Sequence, residues 1–425
     1  MNYYRIEGAV DPLGKPITIN IENGYFTDAP HVKARIIEAD GLIALPGLVD
    51  LHTHLREPGF ENSETISTGT KAAARGGYSA VFAMANLNPV THGPEQVKDI
   101  YARAARESFA DVFVIGSLTH DLAGKKLSLI EQMAQCGVNV FSDDGRCLMD
   151  AHLMRQALLI AAQHDLLIAQ HSQDHNLATE TACADERSIA AKVNLPAWPA
   201  SAESVIIARD VQLAYDTGSR LHCCHITTAE SVEIIRWAKK KGIRVTAEVT
   251  PHHLLLGSEL LTTKNTTFKV NPPLRGSEDI DALRDGLQDG TIDIVGTDHA
   301  PHCDSAKNTD FPHAKPGMTG LEQSLAAVME TMVNTGRMSW TDIVRTMSAT
   351  PARLGKAKGH SGSLMAGSLA HLTLVDPQRR SIVDPQLSAS KSRNNPYAGL
   401  DLPDPIMATF CRGRLTYRDT DLAMS

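Results

Sequence analysis

The chain reads as an α/β protein, a (β/α)8 TIM-like barrel carrying a small β-sandwich built from its two ends. Three observations predict this. Eight short apolar runs alternate with Ala-, Glu- and Lys-rich helical stretches through the middle of the chain. Almost every run closes on a residue type that ligates metal or binds substrate. The first forty or so residues and the last sixty instead alternate apolar with polar positions between Gly and Pro turns.

The eight runs are LVDLHTH, YSAVFAMAN, DVFVIGS, GVNVFSDD, LLIAQH, RLHCCH, IRVTAEVTPHH and IDIVGTDHAPH. Strands separated by helical stretches need parallel crossovers, and eight such units suit a closed barrel better than an open sheet. An open doubly wound sheet is the competing architecture, but no GxGxxG follows the first run. At the N-terminal end YYRIEGAV, PITINIENG and ARIIEADGLIAL read as strands until Pro46-Gly47 breaks the pattern. Near the other end Gly362 and Gly367 bracket a turn, LAHLTLVDP reads as a strand, and Gly413-Arg414-Leu415-Thr416-Tyr417 as another. The expected division is therefore 1–47 with 362–425 as a β-rich unit and 48–361 as the barrel.

Composition narrows the function. With 42% hydrophobic and 21% charged residues over 425 positions, the chain has ample apolar material for a large core. Forty-nine acidic against forty-one basic residues give a formal charge of −8, which offers no field to nucleic acid or an anionic membrane. No apolar run approaches the roughly 18 residues of a membrane span, and the N-terminus lacks a basic segment followed by an apolar one, so a cytoplasmic location is expected. The seven cysteines (Cys136, Cys147, Cys183, Cys223, Cys224, Cys303 and Cys411) are scattered without a CxxC pair, which points neither to a disulfide framework nor to a thiolate zinc site.

The chemistry lies at the run ends, the rim where barrel enzymes build their sites. His52 and His54 close the first run, and a period of two points both imidazoles to one face. Ser142-Asp143-Asp144-Gly145 places Asp144 at the end of the fourth, with Asp143 in support. His171 closes the fifth run, His225 the sixth, and Asp298 ends the apolar part of the eighth. A lone HxH, a DDG turn or a single buried histidine has an ordinary structural reading; their matched placement does not. Four imidazoles and two carboxylates suit a borderline ion such as zinc. Six ligands exceed the three protein ligands usual for one catalytic zinc, which predicts two Zn2+ ions about 3.5–4 Å apart. Asp144 is the natural bridge, and Asp298 can take a proton from a water at the centre and return it to a leaving nitrogen as general base and acid.

The stretches GLVDLHTHLREPG, ETISTGTKAAARGGYSAV, SDDG, AEVTPHHL, NPPLRG, DGTIDIVGTDHAPH and GMTGLE occur in order and at fitting intervals. On these the chain closely resembles the amidohydrolase superfamily, and within it the bacterial dihydroorotases whose metals are bridged by an aspartate. The resemblance implies that His52 and His54 bind one zinc with Asp298, that His171 and His225 bind the other, and that Asp144 bridges. Many relatives bridge with a carbamylated lysine, but GVNVFSDDG holds none.

The resemblance further implies reversible cyclisation of N-carbamoyl-L-aspartate to L-dihydroorotate, a step of de novo pyrimidine (UMP) synthesis. The site must then hold a spectator carboxylate. Arg56, two residues past His54 and on the same side if strand geometry persists, can pair with it bidentately. Asn86 and His302 match the family's other carboxylate ligands, His54 also faces the substrate, and Asn271 matches a ring contact. Pro316 and Gly317 lie in a loop that presents backbone to substrate and can act as a lid. Two positions depart from the family pattern: Ala85 and Leu87 flank Asn86 where proline and threonine are usual, and Pro316 stands where phenylalanine is expected. His253 and Cys303 read as structural. The family also implies a homodimer and allows association with aspartate transcarbamoylase. A hydantoinase or allantoinase is the rival enzyme, opposed by Arg56, Asn86 and His302. A silent scaffold is the rival class, opposed by the full set of six ligands.

Overall fold

The structure, a computed structural model, describes residues 3–425. Eight parallel strands succeed one another in sequence order: β1 (Leu48–Thr53), β2 (Tyr78–Ala83), β3 (Asp111–Gly116), β4 (Val140–Phe141), β5 (Leu167–Gln170), β6 (Arg220–Cys223), β7 (Val245–Val249) and β8 (Ile294–Val295). Each expected run supplies one of them. Every residue of β1 and β2 is buried, as in parallel strands covered on both faces.

Side-chain alternation divides the core in two. Val49, Leu51, Ala80, Phe82, Ile115, Val140, Leu167, Ala169 and Ile294 form one cluster within the strand ring. Leu48, Val81, Val112, Phe141, Ile168, Leu221 and Val245 join the larger cluster beneath the helices. Those helices begin where the sequence supplies caps. Thr65 and Thr68 form a capping box ahead of Ile66–Arg75, and the Thr228 hydroxyl accepts from the Ser231 amide ahead of Ala229–Lys240.

Strand β1 is irregular at its end and along one edge, and both irregularities shape the barrel mouth. Its register against β2 slips between Asp50 and Thr53, a bulge that re-aims the end of the strand and brings His52 and His54 to the mouth above Val49 and Leu51. Its other edge meets β8 with no regular ladder among the described residues. An isolated bridge joins Thr53 to His299, and the His54 amide donates to the His299 carbonyl at 2.9 Å. The buried Asp50 carboxylate closes this seam by accepting from the Thr297 amide at 2.9 Å, its hydroxyl at 2.6 Å and the Thr53 hydroxyl at 2.5 Å.

Both chain ends enter one eight-stranded sheet: Tyr3–Val10, Pro16–Glu22, Tyr25–Thr27, Arg35–Glu38, Ile43–Pro46, Leu372–Val375, Ile406–Cys411 and Arg414–Arg418. One face carries its own cluster of Tyr4, Ile6, Ile21, Phe26, Leu372 and Phe410, while Ile43, Leu45, Val375 and Ile406 pack into the barrel core. Residues 380–403 leave this sheet. Arg380–Ile382 pairs with Asp401–Pro403, and Val383, Tyr397 and Leu402 pack with Phe311, Met318 and Ala327 of the barrel segment.

Removing the Asp50 clasp measures what the seam contributes. Asp50→Ala strands buried donors on Thr297 and Thr53 and should cost about 3 kcal/mol, with Asp50→Asn losing less because it keeps an acceptor. Urea unfolding of both variants beside the parent checks it.

Candidate metal centre and active site

The ends of β1, β4, β5, β6 and β8 converge on one buried carboxylate. Asp144 points Oδ2 toward His52 and His54, with Nε2 distances of 3.4 and 3.3 Å. Its Oδ1 faces His225 Nε2 at 3.3 Å and His171 Nδ1 at 3.5 Å. Asp298 Oδ1 adds contacts of 3.0 Å to His54 and 3.4 Å to His52. Two groups with ligand atoms within 4.8 Å of one another result, His52, His54, Asp144 and Asp298 on one side and Asp144, His171 and His225 on the other. Asp144 belongs to both.

Hydrogen bonds on the far side of three of the four rings turn a lone pair inward, while the outer Nδ1 of His225 has no partner. His52 Nδ1 donates to Glu248 at 2.5 Å, His54 Nδ1 to Asn86 Oδ1 at 2.9 Å, and His171 Nε2 to Gln173 Oε1 at 3.0 Å. Three side chains hold unusual backbone: φ is 62° at Arg56, 30° at His225 and 44° at Asp298. Left-handed angles at non-glycine residues are costly and gather at functional sites.

The donor set fits divalent metal. Asp144, Asp298 and Glu248 are all buried around His52, and so much negative charge away from water needs positive charge beside it. Burial acts to lower the His52 pKa, but Asp144, Glu248 and Asp298 outweigh it and hold the ring well above its usual value. Burial acts to raise the Asp144 carboxyl, yet the His52 charge and hydrogen bonds from His171 and His225 hold it well below the usual carboxylate range. His52 Nε2, facing the centre, has no hydrogen-bond partner.

Above the centre lies a cavity of about 290 Å³. Its wall includes His54, Arg56, Asn86, Asp144, His171, His225, Asn271, Asp298, His302, Pro316 and Gly317; of the expected residues only His52 lies beneath it. Strand geometry does not persist to Arg56, because β1 ends at Thr53 and a turn comes next. The guanidinium still reaches the cavity, braced by Nε donating to the Pro301 carbonyl at 3.2 Å. Burial lowers its pKa to about 10, so it remains a cation at neutral pH. Burial and the neighbouring Arg56 charge bring His302 down to about 3, and this neutral ring donates Nε2–H to the Pro316 carbonyl at 2.8 Å. Asn271 donates to Gln173 Oε1 at 3.2 Å and leaves its own buried oxygen without a partner. Asn86 is already engaged, accepting from His54 and donating to the Asp144 carbonyl at 3.3 Å.

The loop over the cavity is tied from beneath. Buried Lys307 donates to the carbonyls of Thr266, Lys269 and Lys315 at 2.9–3.1 Å. Asn394, in the segment that leaves the terminal sheet, donates to the carbonyls of Ala300 and Gly317 and accepts from the His302 amide. Gly317 has φ 143°, and a Cβ there would stand 2.8 Å from the Ala300 carbonyl oxygen.

Sequence reasoning missed Glu248, Asp50 and Gln173. A glutamate inside the apolar VTAEV strand was the available signal for the first: Glu248 accepts from His52 on one side and from His222 at 3.1 Å on the other. Asp143 sits behind Asp144 and accepts from the Leu118 and Thr119 amides, which fixes the turn after β4. His253 is occupied by Thr250 and Pro272, and Cys303 is half-buried and does not line the cavity.

Residues 41–231 match the family model described as Dihydro-orotase-like. The dihydroorotase of Streptomyces coelicolor is 51% identical over 391 residues, 92% of this chain and 91% of its own. That of Mycobacterium tuberculosis is 47% identical over 388 residues, 91% and 90% of the two chains. Among solved structures, the L-hydantoinase (dihydropyrimidinase) of Arthrobacter aurescens superposes with a TM-score of 0.87 at 23% identity, covering 100% of this chain and 98% of that one. The dihydropyrimidinase of Brevibacillus agri gives 0.85 at 22% identity, covering 99% and 96%. At such identities the structures share a fold.

If Glu248 sets the His52 tautomer, Glu248→Gln should weaken divalent-metal binding about 10–100-fold with the fold intact. Equilibrium dialysis against buffered zinc measures this directly.

Proposed function

This chain belongs to the dihydroorotase family of metal-dependent cyclic amidohydrolases, and from that premise we propose that it interconverts N-carbamoyl-L-aspartate and L-dihydroorotate in pyrimidine synthesis. The observation that carries the reading is the division of Asp144, one oxygen toward His52 and His54, the other toward His171 and His225. His52, His54 and Asp298 would hold one Zn2+, His171 and His225 a second, and Asp144 would join them. Bound there, the ions would polarise the reacting carbonyl and lower the pKa of a nucleophilic water.

The residues then have separate tasks. Asp298, at the cavity floor with a carboxyl held below its usual range by His52 and His54 against the opposing pull of burial, is ionised at neutral pH. It accepts the water proton as the ring amide is attacked and delivers it to the departing nitrogen; cyclisation reverses the transfer. Arg56 pairs with the spectator carboxylate, and Asn271, whose unpartnered oxygen lies at the cavity wall, receives a ring N–H. His302 adds a contact to the carboxylate, His54 and Asn86 flank it, and Pro316 and Gly317 cover it with backbone. A neutral His302 reaches an anion through N–H donation, which requires release of its present bond to Pro316.

We assign residues 48–361 as the catalytic unit and 1–47 with 362–425 as the β-rich one. No described helix is long and apolar enough to cross a membrane. We place the chain in the cytoplasm as a homodimer that can associate with aspartate transcarbamoylase, without nucleic acid or membrane partners.

An ultraviolet assay of zinc-loaded protein with dihydroorotate, carbamoyl aspartate and hydantoin tests the function. Dihydroorotate should be turned over in preference to hydantoin, and Asp298→Asn should lower turnover about 10²–10⁴-fold; a metal count on the variant separates proton transfer from ligand loss. Preference for hydantoin would overturn the substrate assignment. Because ring closure consumes one proton and releases one water, the equilibrium ratio of dihydroorotate to carbamoyl aspartate should rise about tenfold for each unit fall in pH. Product ratios after equilibration between pH 6 and 8 check this.

A further inference from the structure

We propose a second metal site, at the end of the barrel remote from the catalytic centre, in which Asp111, His371 and Cys411 bind one borderline divalent cation, with His360 beside them. Asp111 opens β3, His371 precedes Leu372–Val375, and Cys411 ends Ile406–Cys411, so the site would tie the barrel to the terminal sheet. One carboxylate oxygen, one imidazole nitrogen and the thiol sulfur lie within 4.8 Å of one another. A single ion can draw such a set together, and thiolate, imidazole and carboxylate together favour zinc over calcium or magnesium.

The strongest observation is His371. It is 4% exposed, and neither ring nitrogen has a hydrogen-bond partner. Two unsatisfied nitrogens on a buried ring are costly unless something binds them. Nε2 points at Asp111 Oδ2 from 3.9 Å, too far to bond but suited to an intervening ion. The His360 ring lies against it with centroids 3.7 Å apart and donates Nε2–H to Asp111 at 3.0 Å. His360 is thus either a fourth ligand or the group that orients the carboxylate. Arg412 Nε holds the outer side of Asp111 at 2.8 and 2.9 Å.

Cys411 is buried and donates weakly to the Ser79 carbonyl at 3.4 Å. Metal binding would replace that S–H bond with S–metal and release one proton to solvent. A surface recess lined by Gly359, His360, Ser361 and Leu369 brings solvent to His360, beside the group.

Cobalt distinguishes this site from the catalytic one, whose ligands include no sulfur. Chelator-stripped full-length protein is titrated with Co2+ while the near-ultraviolet thiolate-to-cobalt charge-transfer absorption is monitored, and zinc per chain is counted after reloading. The parent should develop the absorption and carry one zinc more per chain than Cys411→Ser or His371→Asn. Cys411→Ser should lose the absorption. Cys224→Ser should keep it, a needed control because Cys224 lies beside His52 and Glu248. Absence of the absorption from the parent overturns the proposal whatever the variants do. So does an absorption and zinc count unchanged in both site variants, or an absorption lost only in Cys224→Ser.

Discussion

Buried negative charge at the barrel mouth governs this structure. Asp144, Asp298 and Glu248 surround His52, each almost wholly removed from solvent. An isolated buried carboxylate costs several kcal/mol even after relaxation, and a group of them persists only with compensating cations and hydrogen bonds. The imidazoles supply part of this. The outer nitrogens of His52, His54 and His171 are committed to Glu248, Asn86 and Gln173, so what these three present to the centre is lone pairs, which metal satisfies and a proton satisfies only in part.

The scaffold is shaped to keep that arrangement rigid. A bulge re-aims β1, Asp50 closes the one seam lacking a regular ladder among the described strands, and left-handed backbone at His225 and Asp298 turns both side chains where regular strand would not. The terminal sheet contributes indirectly. Its connecting segment reaches back over the mouth, where Asn394 fixes both the Gly317 carbonyl and the His302 amide. The wall of the cavity is therefore held in part by residues outside the barrel strands.

The eight barrel strands are legible in the sequence because a strand buried on both faces is an unbroken apolar run, and each run ends where a polar residue stands at the rim. For the same reason the candidate ligands are visible individually: His171 and Asp298 each end such a run. Their partition is not, since Asp144 follows β4 and Asp298 follows β8, four strands apart, and it comes from family resemblance. Glu248 and Asp50 are hidden because their partners, His52 and Thr297, lie 196 and 247 positions away. Arg56 reaches the cavity as expected but through different local geometry, a turn instead of continued strand. The strand Ile406–Cys411 is buried along its whole length and shows no alternation, whereas its hairpin partner is announced by the turn at Gly413. The crossing of 380–403 has no periodicity to betray it, being held by side-chain bonds to distant carbonyls.

The central claim, two ions joined by Asp144, is tested most directly by anomalous diffraction at the zinc edge from crystals of the zinc-loaded protein. Two peaks about 3.5–4 Å apart are expected, one beside His52, His54 and Asp298 and one beside His171 and His225, with Asp144 between them. A single peak in fully active crystals, or two peaks with Asp144 bound to only one, would contradict it.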